Sequence, residues 1–279
     1  MERLVTENEL QGRKINGIGI GCPGPIDLHR GRILMTPNLG WDDVAVGDFL
    51  TERFRCTTIV MNDVDAGLYG EYQFGAARKA RCAVGVFPGT GIGGACVYEG
   101  RILQGNGVSC MEIGHTRISS GSRSSGGLPG TLEAEASRLS IAAEAAKAAF
   151  RGDAPVLAES TGTDLSDIRS GALAESVEGG DAAVRRLIEA AAESVGVGVA
   201  NLIHILCPDI VVLGGGLVEA MEELIVGTVE KTARASVMEA YRERFKVVAA
   251  ELGDDAGVKG AAAWARRAIE QAAETSVSD

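Results

Sequence analysis

The residues best suited to chemistry begin with a glycine-rich run, GTGIGGA, at residues 89–95. Closely spaced glycines let backbone N–H groups converge on a phosphate, and the hydroxyl of Thr90 adds a further donor. We therefore interpret the run as a phosphate-binding loop in which Gly89, Thr90, Gly91 and Gly93 are the binding residues. The alternative is a structural tight turn, because glycine clusters are common in hairpins.

The same glycines also satisfy the G-x-G-x-x-G pattern of dinucleotide-binding folds, through Gly89, Gly91 and Gly94. That fold requires a helix directly after the loop. Here the next residues, ACVYEGRIL, alternate in polarity like a strand and contain a Glu-Gly turn. The run therefore predicts a loop between two hairpin strands, and the dinucleotide interpretation is disfavoured.

A second glycine run, LGGGL at residues 213–217, follows the apolar segment DIVV. Bare backbone at Gly214, Gly215 and Gly216 would allow a nucleotide base or ribose to lie against it. Close packing of a strand against a helix explains such a run equally well. Two glycine loops after separate strands indicate a nucleotide site more strongly than either loop alone.

Asp63 has the position of a general base, because Asn62 and Asp63 follow directly on the strand-like segment TTIVM. A carboxylate at the end of a strand is able to take a proton from a substrate hydroxyl. The same Asn-Asp pair also fits the N-terminal cap of a helix. Both interpretations of the pair stay open at the level of sequence.

Three further polar residues, Glu112, His115 and Glu133, suit the recognition of a polyol. Carboxylates accept hydrogen bonds from hydroxyls, and imidazole is able to donate or accept. The alternatives are a turn histidine and a solvated glutamate in the first turn of a helix. A zinc site at Cys110 and His115 is disfavoured, because structural zinc usually needs four Cys or His ligands and the loop after His115 supplies none.

Alternating strands and helices are expected to position these residues. The segment TTIVMNDVDAGLYGEYQFG predicts a strand followed by a helix from about Val64, and the implied parallel strands carry ligands at their carboxyl ends. One alanine-rich helix is predicted from about Thr131 to Phe150. A long helix is predicted from Asp181 to about Leu206, where Pro208 follows. We expect a hinge between two domains near residues 77–81.

Composition narrows the classes of function. A length of 279 residues with 46% hydrophobic content allows a full core and predicts roughly two domains. The net charge of −11 opposes attraction to nucleic acid or anionic lipid. Six scattered cysteines without C-x-x-C spacing favour reduced thiols and a cytoplasmic location. The N-terminus lacks the apolar core of a signal peptide and no run approaches ~18 apolar residues, so we expect no membrane anchor.

Taken together, the motifs resemble the ROK family of sugar kinases and sugar-responsive repressors, in that family's order and spacing over nearly the whole chain. The matching segments are GIGIGCPGPID (17–27), PNLGW (37–41), VMNDVDAGLYGE (60–71), GTGIGGACVYEGRILQG (89–105), EIGH (112–115), GTLE (130–133) and DIVVLGGG (209–216). The resemblance implies an α/β, two-domain actin-like ATPase fold of the ribonuclease H-like type. The first domain would span residues 1–78 together with the C-terminal helix 257–275, and the second domain would span residues 79–256.

The resemblance also implies roles for individual residues. Asp63 would be the catalytic base. The sugar hydroxyls would be contacted by Asn62, Glu112, His115 and Glu133. Residues 89–93 would face the phosphates of ATP and residues 214–216 its adenosine. Mg²⁺ would accompany ATP, since neutralising the triphosphate is part of phosphoryl transfer.

Two departures from the family pattern modify these expectations. Many relatives carry zinc-binding cysteines before the sugar-binding glutamate. This chain has instead Ser124, Ser125, Gly126, Gly127 and Thr131. We therefore expect no zinc, and no metal ligand among the site residues.

Family kinases also carry a D-x-G-G-T phosphate loop ahead of the segment matching Gly17. Its absence predicts an incomplete first domain with residues 15–20 at an uncovered sheet edge. We therefore expect either that the start of the chain is assigned too far downstream or that kinase activity is lost.

The sequence therefore predicts ATP-dependent phosphorylation of a hexose, with glucose favoured as the substrate. The alternative is a non-catalytic sugar-binding pseudo-kinase or regulator, since half of the expected phosphate site is missing. A DNA-binding repressor is disfavoured by the acidic balance and by the lack of a helix-turn-helix. We expect a cytoplasmic homodimer that binds a hexose and binds neither nucleic acid nor membrane.

Overall fold

The computed structural model describes residues 15–36, 39–121 and 128–277. Its strands are β1 (Gly17–Cys22), β2 (Ile26–Asp27), β3 (Arg32–Thr36), β4 (Trp41–Val44), β5 (Thr57–Asn62), β6 (Cys82–Pro88), β7 (Ile92–Tyr98), β8 (Arg101–Ile102), β9 (Ile210–Leu213) and β10 (Lys246–Ala249). Its helices are α1 (Val46–Phe54), α2 (Asp63–Phe74), α3 (Leu132–Ala136), α4 (Arg138–Arg151), α5 (Pro155–Ser160), α6 (Ser170–Glu178), α7 (Ala182–Leu206), α8 (Gly216–Ala220), α9 (Glu222–Ser236) and α10 (Asp255–Val277), with 3-10 turns at Ile113–His115 and Glu239–Tyr241.

The first sheet is a parallel pair of β1 and β5, in register from Gly17 opposite Thr57 to Cys22 opposite Asn62. Within the described residues this sheet contains these two strands, and β2, β3 and β4 form a small antiparallel sheet beside them. The two strands of the pair end at the same edge. The residue that follows β5, at the start of α2, therefore lies at the carboxyl end of the sheet, as the βαβ pattern predicts.

The second sheet has five strands in the order β10-β9-β6-β7-β8. The strands β10, β9 and β6 run parallel, whereas β6 and β7 form an antiparallel hairpin from Cys82 opposite Tyr98 to Pro88 opposite Ile92. The first glycine run is therefore the turn of a hairpin. The prediction of a loop between two hairpin strands is confirmed, and no helix follows the loop directly.

The two faces of the second sheet pack against different helices. Val84 and Val86 of β6 belong to the larger core, which also contains the buried side of α7. Ala83 faces the other way, into a smaller core with residues of α2 and α10. By length and composition alone α7 would be able to cross a membrane, but 56% of its most apolar window is buried inside the protein. The apolar side chains of α7 therefore serve the core.

The prediction of one helix from Thr131 to Phe150 is wrong. Two helices, α3 and α4, are separated by Ser137, which is extended with φ −69° and ψ 153°. The hydroxyl of Ser137 accepts the N–H of Ser140 at 3.2 Å and so caps α4, a task to which serine is well suited. Because of this break, the N–H of Arg138 reaches the carbonyl oxygen of Gly89 at 2.9 Å. The start of α4 therefore lies on the first glycine loop.

Candidate functional site

Asn62 fixes the start of α2. Its Oδ1 accepts the N–H groups of Val64 at 2.8 Å and Asp65 at 3.3 Å, which is the bonding pattern of an N-cap. Its Nδ2 donates to the carbonyl oxygen of Gly24 at 3.2 Å, in the loop after β1. The capping interpretation of Asn62 is therefore confirmed, and the residue also ties α2 to the neighbouring strand.

Asp63 is the first residue of α2 and its side chain reaches the solvent. Its Oδ1 accepts the N–H of Val64 at 3.0 Å. The surrounding protein removes water from the carboxylate and thereby raises its pKa, while hydrogen bonds from the backbone partly oppose the rise. Asp63 is consequently a stronger base than an ordinary surface aspartate.

Glu112 directly precedes the 3-10 turn Ile113–His115, His115 is its last residue, and both side chains are exposed. Removal of water raises the pKa of Glu112, and the carboxylates of Asp63 and Glu133 raise it further. The nearby His115 acts in the opposite direction. Electrostatic effects of this kind require short separations. The structure thus brings Asp63, Glu112, His115 and Glu133 together, although they come from three separate segments.

Glu133 enters the cluster from α3 and is only 7% exposed. Thr131 caps this helix, since its hydroxyl accepts the N–H of Ala134 at 3.2 Å. The Oε2 atom of Glu133 accepts the N–H of Ile92 at 3.1 Å, at the start of β7. The expected sugar ligand is therefore also bonded to the strand that leaves the glycine loop.

The glycines of the first run have packing tasks. A Cβ atom added at Gly93 would lie 2.5 Å from Cγ2 of Val64. One added at Gly94 would lie 2.5 Å from the carbonyl oxygen of Met111, and one added at Gly91 would overlap the carboxylate of Glu133. Contacts this short exclude larger residues, so these glycines let α2, the segment before Glu112 and α3 approach the hairpin.

The second glycine run lies against the first. Gly215 has φ +92°, and a Cβ there would be 2.8 Å from the carbonyl oxygen of Pro88. Pro88 is the last residue of β6 and directly precedes Gly89. Gly214 packs on the ring of Phe87, and Gly216 lies beside Ser170. The two loops therefore meet at the end of β6, where Gly214 is buried and Gly216 is exposed.

A phosphate would find unused donors at the first loop. The N–H of Gly89 bonds the carbonyl oxygen of Gly91 at 2.8 Å. The N–H groups of Thr90 and Gly91 make no hydrogen bond within the described part of the chain, and the side chain of Thr90 is exposed. Two free backbone N–H groups next to an exposed hydroxyl are able to hydrogen-bond an anion such as a phosphate.

No group of three or more His, Cys, Asp or Glu residues is placed to hold a metal ion within residues 15–36, 39–121 and 128–277. The predicted departures Ser124, Ser125, Gly126 and Gly127 lie outside the described residues. Thr131, at the last of those positions, is described and caps α3. The absence of zinc from the purified protein stays a prediction.

The sequence analysis missed Asp65. Its side chain is 2% exposed, and its Oδ1 atom has no hydrogen-bond partner among the described residues. Burial, together with the charges of Glu112 and Asp63, raises the pKa of Asp65 to about 8. Its spacing to Leu68 and Tyr69 predicts that Asp65 shares their buried side of the helix, and this was the available signal.

The sequence analysis also missed Arg138, whose Nη2 atom donates to the hydroxyl of Thr90 at 2.9 Å. A helix assumed to run unbroken from Thr131 leaves this arginine at an arbitrary position. A cap at Ser137 makes it the first residue of a new helix. Ser137, a good N-cap residue within an alanine-rich run, was therefore the signal in the sequence for a new helix that begins at Arg138.

Residues 1–268 match the sequence profile of the ROK family. The chain belongs to the ROK family. It is 30% identical over 273 residues to a glucokinase of Thermotoga maritima, covering 96% of this chain and 85% of the relative. It is 26% identical to the transcriptional dual regulator NagC of Escherichia coli, covering 92% of this chain and 62% of the relative.

Among solved structures, the chain is similar to a ROK family glucokinase from Streptomyces griseus in complex with glucose and AMPPNP. The TM-score is 0.81 at 27% sequence identity, covering 95% of this chain and 88% of that one. The ROK chain therefore has the mixed α/β actin-like ATPase fold of these kinases. Its family and its glucokinase relatives support the phosphorylation of a sugar.

Proposed function

We propose that this ROK protein transfers the terminal phosphate of ATP to the primary hydroxyl of a hexose, with glucose as the favoured substrate. The observation that carries the proposal is the convergence of Asp63, Glu112, His115 and Glu133 beside the first glycine loop. A sugar bound by the four polar side chains would present a hydroxyl to the loop that suits a phosphate. The similar glucokinase from Streptomyces griseus, which is in complex with glucose and AMPPNP, supports a site that takes a sugar and a nucleotide together.

In this proposal Asp63 is the general base. Its carboxylate takes the proton of the sugar hydroxyl while the hydroxyl oxygen forms its bond to the γ-phosphorus and the bond from that phosphorus to the departing ADP oxygen breaks. The raised pKa of Asp63 favours this task, because a more basic carboxylate holds the proton better. Bound ATP would supply the phosphoryl group, and Mg²⁺ would neutralise its charge.

The remaining polar side chains hold the sugar. Carboxylate oxygens of Glu112 and Glu133 accept hydrogen bonds from hydroxyls, and His115 either donates or accepts. Asn62 already uses Oδ1 for capping and one hydrogen of Nδ2 for Gly24, which leaves its other amide hydrogen for a sugar oxygen. Gly89, Thr90, Gly91 and Gly93 form the phosphate loop, and Gly214, Gly215 and Gly216 support the nucleoside.

A second candidate function is a sugar-binding regulator without kinase activity. The similarity to NagC favours it, since that relative is a transcriptional regulator within the same family. A regulator of this kind would bind the sugar through the same four side chains and would not turn over ATP. A homodimer in the cytoplasm, with two domains divided near residue 78, is proposed for either function.

An ADP-release assay over a panel of glucose, mannose, fructose and N-acetylated hexoses tests the proposal. We expect sugar-dependent release of ADP, with the highest kcat/KM for glucose. Calorimetry with each sugar in the absence of nucleotide gives the matched measurement. Binding of a sugar without ADP release would support the regulator, and the absence of both would exclude the two functions together.

A further inference from the structure

Three hydrogen bonds tie the first glycine loop to α3 and to the start of α4. The backbone N–H of Arg138 donates to the carbonyl oxygen of Gly89 at 2.9 Å. The Nη2 atom of Arg138 donates to the hydroxyl of Thr90 at 2.9 Å. The carboxylate of Glu133, five residues earlier, receives the N–H of Ile92 at 3.1 Å. A guanidinium group is thus held on the loop where the phosphate chain of a nucleotide is proposed to bind.

The bond from Arg138 leaves Thr90 ready to donate. A hydroxyl oxygen that accepts a hydrogen bond keeps its own hydrogen free for another acceptor. The N–H groups of Thr90 and Gly91 are likewise without an acceptor in the described part of the chain. Because a guanidinium carries five N–H donors and stays protonated, Arg138 adds a positive charge and further donors to the same spot.

The negative charge around the first glycine loop favours a cation there. The chain carries a net charge of −11, and the carboxylates of Asp63, Glu112 and Glu133 cluster next to the loop. A triphosphate entering this cleft is repelled by those carboxylates. A guanidinium bonded to the loop would offset the repulsion at short range, and arginine binds phosphate oxygens through charge-assisted hydrogen bonds.

We propose that Arg138 is a phosphate-binding residue, whose guanidinium contacts the β- or γ-phosphate of the nucleotide from the start of α4. This inference rests on the proposed use of ATP and adds to it a residue that discriminates nucleotides by the length of their phosphate chain. If Arg138 served only to hold Thr90 in place, its loss would disturb the loop equally for every nucleotide.

Calorimetric titration with ATP and with AMP separates these two roles. Replacement of Arg138 by Gln (R138Q) should weaken ATP binding about 10- to 100-fold, the usual worth of a hydrogen bond to a charged group. AMP, which lacks the β- and γ-phosphates, should bind R138Q as it binds the wild type. R138K keeps the charge without the planar fork and should recover part of the ATP affinity.

The matched control is R151Q. Arg151 ends the same helix, is exposed and pairs with Asp153 at 3.0 Å, so both affinities should be unchanged. Thermal unfolding confirms that each variant is folded, and R138K alone decides the question if R138Q is not. Equal losses for ATP and AMP, or an unchanged ratio of the two affinities, would overturn the role of Arg138. If the wild type binds neither ATP nor AMP, that result would contradict the proposed use of ATP as well as the role of Arg138.

Discussion

Helix α2 carries two buried carboxylates, one near each end, and the protein treats them in opposite ways. Near the C-terminal end, Glu71 is fully buried, and its two oxygens accept the N–H groups of Ala76 and Leu252, each at 2.8 Å. Near the N-terminal end, Asp65 is 2% exposed, and its Oδ1 atom has no hydrogen-bond partner among the described residues.

The difference separates a carboxylate whose oxygens are bonded from one that lies in the proposed site. Glu71 ties the C-terminal half of α2 to the segment that leads into α10. Asp65 lies among other carboxylates, next to Asp63 and Glu112. Crowding of like charges costs stability and raises pKa values, and proteins retain it mainly where function uses those groups. The crowding at the N-terminal half of α2 therefore supports the proposed reaction site there.

The largest expected effect comes from removing the proposed base, Asp63, at the N-terminal end of α2. Replacement of Asp63 by Asn should lower kcat about 10²- to 10⁴-fold, which is the usual contribution of a positioned general base. The amide keeps the size of the side chain and its bond to the N–H of Val64. Steady-state kinetics with the favoured hexose measure the loss.

The sugar affinity and the unfolding temperature of D63N serve as its controls. Both should stay close to the wild-type values, because Asp63 is exposed and the helix is capped by Asn62. Near-normal turnover in D63N would remove Asp63 from the catalytic role. A large loss of stability would instead give Asp63 a structural role like that of Glu71.

The second prediction concerns Glu71, near the C-terminal end of α2. Replacement of Glu71 by Ala leaves the N–H groups of Ala76 and Leu252 without their acceptor, and we expect the free energy of unfolding to fall by about 2–4 kcal/mol. Urea unfolding measures the change. The matched variant is E144A, which removes an exposed glutamate paired with Lys147 and should change stability by less than about 0.5 kcal/mol.

Catalysis by the folded E71A protein should be close to that of the wild type, since Glu71 lies near the far end of the helix from Asp63. A large loss of kcat without a loss of stability would contradict the division of α2 into a structural half and a reacting half.

Local patterns in the sequence were enough to predict much of this site. The hairpin follows from the strand alternation on either side of the glycine run, and the position of Asp63 follows from a strand directly before it. The prediction that Glu112 and His115 belong with them depended on the family resemblance, because no local pattern relates these residues to α2.

The sequence could not show which contacts the glycines make. Their predicted contact with phosphates stays a prediction, and the structure adds that Gly93 makes room for Val64 and Gly91 for Glu133. Asp65 and Arg138 were missed for a related reason. The burial of Asp65 and the position of Arg138 depend on contacts between distant segments, and no spacing along the chain contains that information.

The last prediction tests the protonation of Asp65. Its pKa is raised to about 8 in the folded protein from an ordinary value of 3.8. The folded state therefore binds more protons than the unfolded state between these values, and wild-type stability should fall as the pH rises through this window. Asn resembles the neutral acid and does not titrate. The stability of D65N relative to wild type should thus grow with pH, by up to about 1.4 kcal/mol per pH unit.

Urea unfolding of both proteins at several pH values from 5 to 8 measures this slope. Asp63 and Glu112 also affect Asp65, and Cys96 and Cys110 feel its charge. These groups are common to both proteins, so the difference between the two curves isolates Asp65 to first order. Parallel curves would mean that Asp65 is ionised in the folded protein throughout this range. Burial and the charges of Asp63 and Glu112 would then be too weak to keep Asp65 protonated, which would contradict its raised pKa.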